Sequence, residues 1–157
     1  MNTPTAMSRP GKKKDSRKVV TALFWDYSSR RGALNESERL VQIRQGVSAK
    51  LFQAVRVTFD LQERSVATLL NASVSTLERR VRERKPLDAV ASERLDRIAD
   101  VSQLAEEVFE DREAAASWMS RPNKALGGGV PIMLCETEIG AKQVRRVLHA
   151  LEWGGAA

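Results

Sequence analysis

The densest group of chemically capable side chains is a run of arginines that follows a short stretch of hydroxyl residues. A planar guanidinium can donate two parallel hydrogen bonds to a guanine edge or to a phosphate. A serine at the start of a helix can cap it, and that end of a recognition helix is where bases are contacted. The pattern predicts a DNA-binding helix that uses Ser73, Ser75, Thr76, Arg79, Arg80 and Arg82. The alternative is a helical hairpin with a solvated basic face.

The residues that enzymes use for catalysis are sparse in this chain. It has one histidine, His149, and one cysteine, Cys135, so neither a His/Cys metal cluster nor a Cys–His pair is expected. Three consecutive glycines, residues 127–129, resemble a phosphate loop, but no strand precedes them and no Gly-Lys-Ser/Thr follows. We therefore predict a protein that is not an enzyme and needs no cofactor.

The net charge of +6 is distributed unevenly along the 157 residues. Residues 1–31 carry a net +6, residues 62–87 a net +3 and residues 88–111 a net −6. This distribution localises the expected contact with DNA to the arginine run. We interpret the basic N-terminus as a solvated tail, and a flexible arm on DNA phosphates or on an acidic partner is the alternative. We expect the acids of residues 88–111 to form a solvated face. Pairing with the basic helix or with a basic partner are the alternatives.

Nothing in the composition indicates a membrane protein. No apolar run approaches the roughly 18 residues of a membrane helix, and the N-terminus has no secretory h-region. A single cysteine cannot form an internal disulfide, which fits a reducing cytoplasm. We therefore expect a cytoplasmic protein.

Stepping from these side chains to the segments that hold them, we predict an all-α fold with three regions. Residues 1–34 form a basic, partly disordered arm, because residues 1–18 are too polar to bury a core. Its aromatic patch, residues 19–27, docks on the core or on a second copy of the chain. Residues 35–111 form a helical helix-turn-helix domain, and residues 112–157 form a small helical domain.

Within residues 35–111, helix starts and stops are marked by capping residues. Asn35 followed by Glu38 matches a capping box, and Gly46 ends that helix. Asn71 can adopt the left-handed conformation of a tight turn. The residues from Ala67 to Arg79 resemble the bacterial helix-turn-helix pattern A-x-x-L-G-V-S-x-x-T-L-x-R, with asparagine and alanine replacing its glycine and valine.

The last region combines a turn with one amphipathic helix. Pro122 ends the preceding helix, residues 127–129 permit a turn, and Pro131 can begin a short helix. Thr137 can cap the final helix, whose apolar residues recur at i, i+3, i+4 and i+7: Val144, Val147, Leu148 and Leu151. The chain then ends in a large aromatic, Trp153, followed only by small residues.

This last region resembles the toxin-binding domain of the Xre/MbcA/ParS antitoxins. The family pattern is approximately N-x-A-L-G-G-x-x-P-x-x-L-x-x-T-x-x-G-x-x-x-V-x-x-x-L-x-x-[IL]-E-x-G. The residues that match it, without a gap, are Asn123, Ala125, Leu126, Gly127, Gly128, Pro131, Leu134, Thr137, Gly140, Val144, Leu148, Leu151, Glu152 and Gly154. Trp118, shortly before Pro122, is also typical of the family.

The resemblance implies a bacterial type II antitoxin that blocks the NAD site of its toxin. That toxin is either a RES-domain protein that destroys NAD⁺ or a related ADP-ribosylating toxin. It also implies binding to promoter DNA, repression of the protein's own operon and a homodimer. The expected toxin contacts lie on the outer face and tip of the last helix: Arg145, Arg146, His149, Glu152, Trp153, Gly154 and Gly155. The alternative function is a stand-alone helix-turn-helix transcription regulator without a toxin partner.

Overall fold

The computed structural model describes residues 10–154, and within this range the chain is helical with no strands. The first nine residues of the predicted arm, together with Gly155, fall outside it. The helices are α1 (Pro10–Gly32), α2 (Glu36–Gln45), α3 (Leu51–Thr58), α4 (Glu63–Leu70), α5 (Val74–Arg82), α6 (Ala89–Phe109), α7 (Arg112–Met119), α8 (Pro131–Leu134) and α9 (Glu138–Glu152). A 3₁₀ turn, Lys124–Leu126, lies between α7 and α8. The predicted all-α class is confirmed.

Helix α6 is the central element of the fold. It packs against α1, α2, α4, α7 and α9. Its inner stripe, including Leu95, Ile98 and Ala105, is fully buried. Asp88 caps its first turn by accepting a hydrogen bond from the Ala91 amide at 2.8 Å. One helix thus supplies a shared wall to the helix-turn-helix and to the C-terminal helices.

The arm differs from the expectation. Composition predicts that residues 10–18 are unordered, whereas α1 is continuous from Pro10. The reason is anchoring further along the same helix. Phe24 and Trp25 are buried in the core, at 0% and 4% exposure, with Phe24 edge-on to Phe59. Once this part is helical, extension through lysines and arginines costs little, since they are good helix formers. The aromatic patch therefore docks on the chain's own core.

The acids of α6 also differ from the expectation of a solvated face. Asp96 is buried and pairs with Arg31 and Arg39, while Asp100 pairs with Arg31 and with Arg145 of α9. The Arg31 Nε lies 3.0 Å from the Asp96 carboxylate, and the Arg145 Nε lies 2.8 Å from that of Asp100. These acids fasten α1, α2 and α9 to α6.

Local capping follows the sequence closely. Asn35 and Glu38 form the reciprocal capping box, and Gly46 caps the end of α2. Thr137 caps α9 by accepting a hydrogen bond from the Gly140 amide at 3.0 Å. Pro131 occupies the first turn of α8. None of the helices within the described range is long and apolar enough to cross a membrane.

Candidate functional site

The turn between α4 and α5 has the geometry that the sequence predicts. Asn71 adopts a left-handed conformation, φ 54° and ψ 46°, and caps α4. Ser73 then caps α5, since its hydroxyl oxygen accepts a hydrogen bond from the Thr76 amide at 3.1 Å. Leu77 is fully buried beneath the helix. The two helices are therefore held at a fixed angle, as a helix-turn-helix requires.

Five of the six predicted DNA contacts lie on the helix itself, and they are not equally available. Ser75, Arg79 and Arg82 are exposed, with no side-chain hydrogen bond among the residues described. Arg80 is half-buried and donates a hydrogen bond from Nη1 to the Pro86 carbonyl at 2.7 Å. The Ser73 hydroxyl donates to that of Thr76 at 2.9 Å. The first three side chains are thus free to contact DNA, whereas the other three also hold the motif together.

Two arginines of α6 hold the C-terminal ends of α4, in the helix-turn-helix, and of α8, in the C-terminal region. Arg94 donates from Nη1 to the Thr68 and Leu69 carbonyls, at 3.3 and 3.2 Å, and so caps the end of α4. Arg97 donates to the Cys135 and Glu136 carbonyls at the end of α8, at 3.1 and 2.8 Å. The spacing of three places them on adjacent turns of one helix. Sequence reasoning missed both, because their partners are distant in the chain.

The glycine stretch is a closed turn. The Asn123 amide donates to the Gly129 carbonyl at 3.0 Å, and the Gly128 amide donates back to the Asn123 carbonyl at 2.9 Å. Gly127 and Gly128 have φ of 65° and 84°, where residues with a side chain are strained. The turn directs the chain from α7 into α8.

The predicted toxin-contact residues of α9 divide into an anchored part and an exposed tip. Arg145 is engaged by Asp100 and by Glu138, with the latter at 2.7 Å, so it anchors α9 to the body. Arg146 is exposed on the outer face. His149 Nδ1 lies 3.3 Å from the Glu152 carboxylate one turn later, and both side chains are exposed.

The tip carries the largest exposed aromatic of the described residues. Trp153 is 84% exposed, and Gly154, with φ 78°, follows it. Gly155, the last predicted contact, lies outside the described residues. Tryptophan is enriched at protein interfaces, because it offers a large apolar ring together with a polar N–H group. The predicted toxin contacts that are exposed therefore lie toward the C-terminal end of α9.

Cys135 is a core residue. It is fully buried, and burial raises the pKa of its thiol to about 12. A thiol with that pKa is not a nucleophile at neutral pH. Within residues 10–154, no group of three or more His, Cys, Asp or Glu side chains could hold a metal ion.

Comparison with known proteins assigns both parts of the chain. Residues 38–100 match the Antitoxin Xre-like helix-turn-helix domain, and residues 104–154 match the Antitoxin Xre/MbcA/ParS C-terminal toxin-binding domain.

The names of three similar proteins agree with these matches. The chain is 33% identical over 98 residues to "Antitoxin Xre" of Pseudomonas putida, a match that covers 60% of this chain and 62% of that protein, less than two thirds of its length. It is 29% identical over 129 residues to "Prs ADP-ribosylating antitoxin" of a Sphingobium species, covering 76% of this chain and 81% of that protein. It is also 29% identical over 113 residues to "Antitoxin Xre" of Yersinia enterocolitica, covering 71% and 76%. The chain therefore carries an antitoxin Xre-like helix-turn-helix domain followed by an antitoxin Xre/MbcA/ParS toxin-binding domain.

Proposed function

We propose that this protein is the antitoxin of a type II toxin–antitoxin system, that it blocks the NAD site of a RES-type toxin with the tip of α9, and that it represses its own operon through α5. The observation that carries the proposal is Trp153. Its side chain is 84% exposed at the end of α9, and Arg145 fixes this helix to α6 through its ion pair with Asp100. A fixed helix with an exposed aromatic end suits insertion into a cleft of a partner.

The chemistry of the tip suits an NAD site. Trp153 offers the large, rigid contact area typical of interface hot spots. The exposed Glu152 carboxylate can form charge-assisted hydrogen bonds with arginines that would otherwise hold a pyrophosphate. Gly154, with no side chain, lets the backbone enter a narrow cleft. Arg146 and His149 lie along the outer face and would contact the rim.

The DNA-binding part of the proposal rests on α5. Ser75, Arg79 and Arg82 form its exposed contact set, and Asn71 and Ser73 fix the angle at which it enters the major groove. The proposal includes a homodimer on the promoter, because helix-turn-helix domains bind two-fold operators as pairs. The protein itself is proposed to lack enzymatic activity and to act in the bacterial cytoplasm.

The toxin-binding part is tested by removing the tip. We expect a variant truncated after Leu151 to lose protection of bacterial cells that express the cognate toxin, measured as growth and as cellular NAD⁺. Trp153→Ala should weaken toxin binding by about 2 kcal/mol or more, roughly 30-fold in Kd, because hot-spot aromatics dominate interfaces.

The matched control is Val19→Ala, which removes a side chain of comparable exposure, 71%, on α1. It should leave toxin binding unchanged. Full protection by the truncated variant would contradict insertion of the tip. Failure of the intact protein to protect against any co-encoded toxin would instead favour a stand-alone transcription regulator.

A further inference from the structure

The N-terminal part of α1 extends beyond the folded body as a basic overhang. Residues 11–19, which we call the overhang, are all exposed although the helix is continuous. They contain Lys12, Lys13, Lys14, Arg17 and Lys18 against a single acid, Asp15. None of these cations forms an ion pair within residues 10–154. A helix with such unpaired charge is available to an anionic partner.

The cations lie mainly on one side of the helix, and it is the side that is buried further along. The spacing from Lys14 through Lys18 and Thr21 to Trp25 is four, three and four residues, which is one helical stripe. Lys13 and Arg17 lie on the neighbouring stripe, which continues to Phe24 in the core. The inner face of α1 therefore changes from apolar at Phe24 and Trp25 to basic in the overhang.

A cleft of about 640 Å³ lies beneath this basic face. Its walls are α1 and α7, and the end of α3 forms its floor. Arg17 and Lys18 line it from α1, and Arg121 lines it from the segment after α7. Arg112 also lines it, but this side chain pairs with Glu106 and lies over the Trp25 ring at 5.8 Å. Cations from distant parts of the chain are thus gathered on one surface.

The cleft adjoins the helix-turn-helix. Asp60 lies on its lining, and α4 begins three residues later at Glu63. In a helix-turn-helix bound to DNA, the first helix crosses the phosphate backbone, and helix N-termini contact phosphates. The start of α4 is therefore the part of the motif that follows the cleft most closely along the chain.

We propose that the overhang of α1 and Arg121 form a second, sequence-independent DNA surface that binds phosphates flanking the bases contacted by α5. This inference rests on the DNA binding proposed above. An acidic protein partner fits less well, because lysine is depleted at protein interfaces. The exposed apolar side chains of this part of α1, Val19 and Leu23, also lie on the opposite side of the helix. The two acids of the cleft, Asp60 and Glu113, leave its lining net positive.

The test compares the salt dependence of DNA affinity between the wild-type protein and variants in which lysine or arginine is replaced by neutral glutamine. Fluorescence anisotropy is measured at several salt concentrations, with a duplex from upstream of the protein's own gene and with a scrambled duplex of equal length. Each phosphate contact contributes about 0.9 to the slope of log K against log salt. We expect Lys14→Gln/Lys18→Gln to lower the magnitude of this slope by about 1–2. The affinity for both duplexes should fall by the same factor. Arg121→Gln is expected to lower the magnitude of the slope by about 0.9.

Two controls isolate the charge and its position. Lys124→Gln/Lys142→Gln removes two exposed cations of the C-terminal helices and should leave the slope unchanged. Lys14→Arg/Lys18→Arg keeps the charge and should keep the slope, which separates loss of charge from loss of helix. An unchanged slope in Lys14→Gln/Lys18→Gln, or an equal drop in Lys124→Gln/Lys142→Gln, would overturn the inference.

The outcomes also separate this inference from the function on which it rests. If Arg79→Ala weakens binding and the overhang variants do not, only the second surface is wrong. If the wild-type protein binds neither duplex, the proposed repression by α5 fails as well. If the overhang variants lose toxin binding but keep DNA affinity, the surface belongs to a protein interface and the inference is overturned.

Discussion

Asp96 is the residue through which α1 and α2 are joined to α6. It is 5% exposed, and it accepts hydrogen bonds from the Nε of Arg31 at 3.0 Å and of Arg39 at 3.2 Å. A buried carboxylate stabilises a fold only when such partners offset its desolvation, and removal of one member leaves the other charge uncompensated. Its spacing of four from Ser92 and three from Ala99, both buried, places this acid on the inner stripe of α6. The sequence contained that signal, but not the identity of the partners.

Replacement of this carboxylate is expected to be costly at neutral pH. Asp96→Asn should lower the free energy of unfolding by up to about 3–5 kcal/mol at pH 7, because Arg31 and Arg39 lose the carboxylate they share and the buried Arg31 keeps only its ion pair with Asp100. Burial by itself would raise the pKa of Asp96, but the hydrogen bonds from Arg39 and Arg31 outweigh it and hold the pKa below the ordinary value of 3.8. The carboxylate's contribution is therefore present above about pH 4 and is lost as the pH falls through the folded-state pKa.

Urea unfolding of wild type and variant at pH 7 and near pH 3 checks both parts of this expectation. The difference between the two proteins should shrink on acidification. Asp15→Asn, in the exposed part of α1, is the matched control and should behave as wild type at both pH values. A difference that stays constant or grows at low pH would show that the carboxylate charge is not the source of the stabilisation.

Gly140 is required for a different reason, the close approach of two backbones. A Cβ at this position would lie 1.9 Å from the Leu134 carbonyl oxygen, which belongs to α8 and cannot move as a flexible side chain can. Gly140→Ala should therefore destabilise the protein by about 1–3 kcal/mol, as overpacking of a core does. Thermal or urea unfolding measures this loss. Gly11→Ala, where a Cβ meets nothing within 4 Å, should cause none, and equal behaviour of the two variants would refute the steric explanation.

At the scale of elements, the sequence predicts what is local. The caps at Asn35, Ser73, Asp88 and Thr137 were all predictable, because a cap joins residues two or three positions apart. The helical state of residues 10–18 was not, because it depends on the burial of Phe24 and Trp25 against helices that lie far along the chain. Composition describes a segment in isolation, whereas helix propagation carries order outward from an anchored neighbour.

The candidate site shows the same limit. Ser75, Arg79 and Trp153 could be selected from the sequence because exposure follows from helical periodicity. The distinction between Arg146, which is exposed, and Arg145, which is fastened to Asp100, could not. The two arginines are adjacent in sequence, and only the packing of α9 against α6 separates an interface residue from an anchor.

At the scale of the whole molecule, one helix is shared by both functional parts. The match to the helix-turn-helix domain ends at residue 100 and the match to the toxin-binding domain begins at residue 104, so they meet inside α6. Arg94 and Arg97, three residues apart on this helix, cap α4 on one side and α8 on the other. The surfaces proposed to bind DNA and toxin are nevertheless different ones, the exposed side of α5 and the end of α9.

This arrangement predicts that the two activities can be separated by mutation. Arg79→Ala/Arg80→Ala should weaken binding to the promoter duplex and lower the salt slope by up to about 2, since each arginine–phosphate contact contributes about 0.9. Toxin neutralisation should be unchanged, because among the described residues neither side chain forms a hydrogen bond or ion pair with the C-terminal helices. The effect of Arg79 alone should exceed that of Arg80 alone, since Arg80 is half-buried and engaged by the Pro86 carbonyl at 2.7 Å.

Anisotropy with promoter DNA and a growth-rescue assay against the toxin measure the two activities on the same preparations. Arg80→Ala also requires an unfolding measurement, because its hydrogen bond to the Pro86 carbonyl supports the end of α5. Trp153→Ala is the reciprocal variant, expected to lose neutralisation and keep DNA affinity. Equal loss of both activities in a variant that unfolds as wild type would mean that the DNA and toxin surfaces are not separate. Loss of DNA binding alone in the arginine variant, with loss of neutralisation alone in the tryptophan variant, is the outcome that the position of α6 between them predicts.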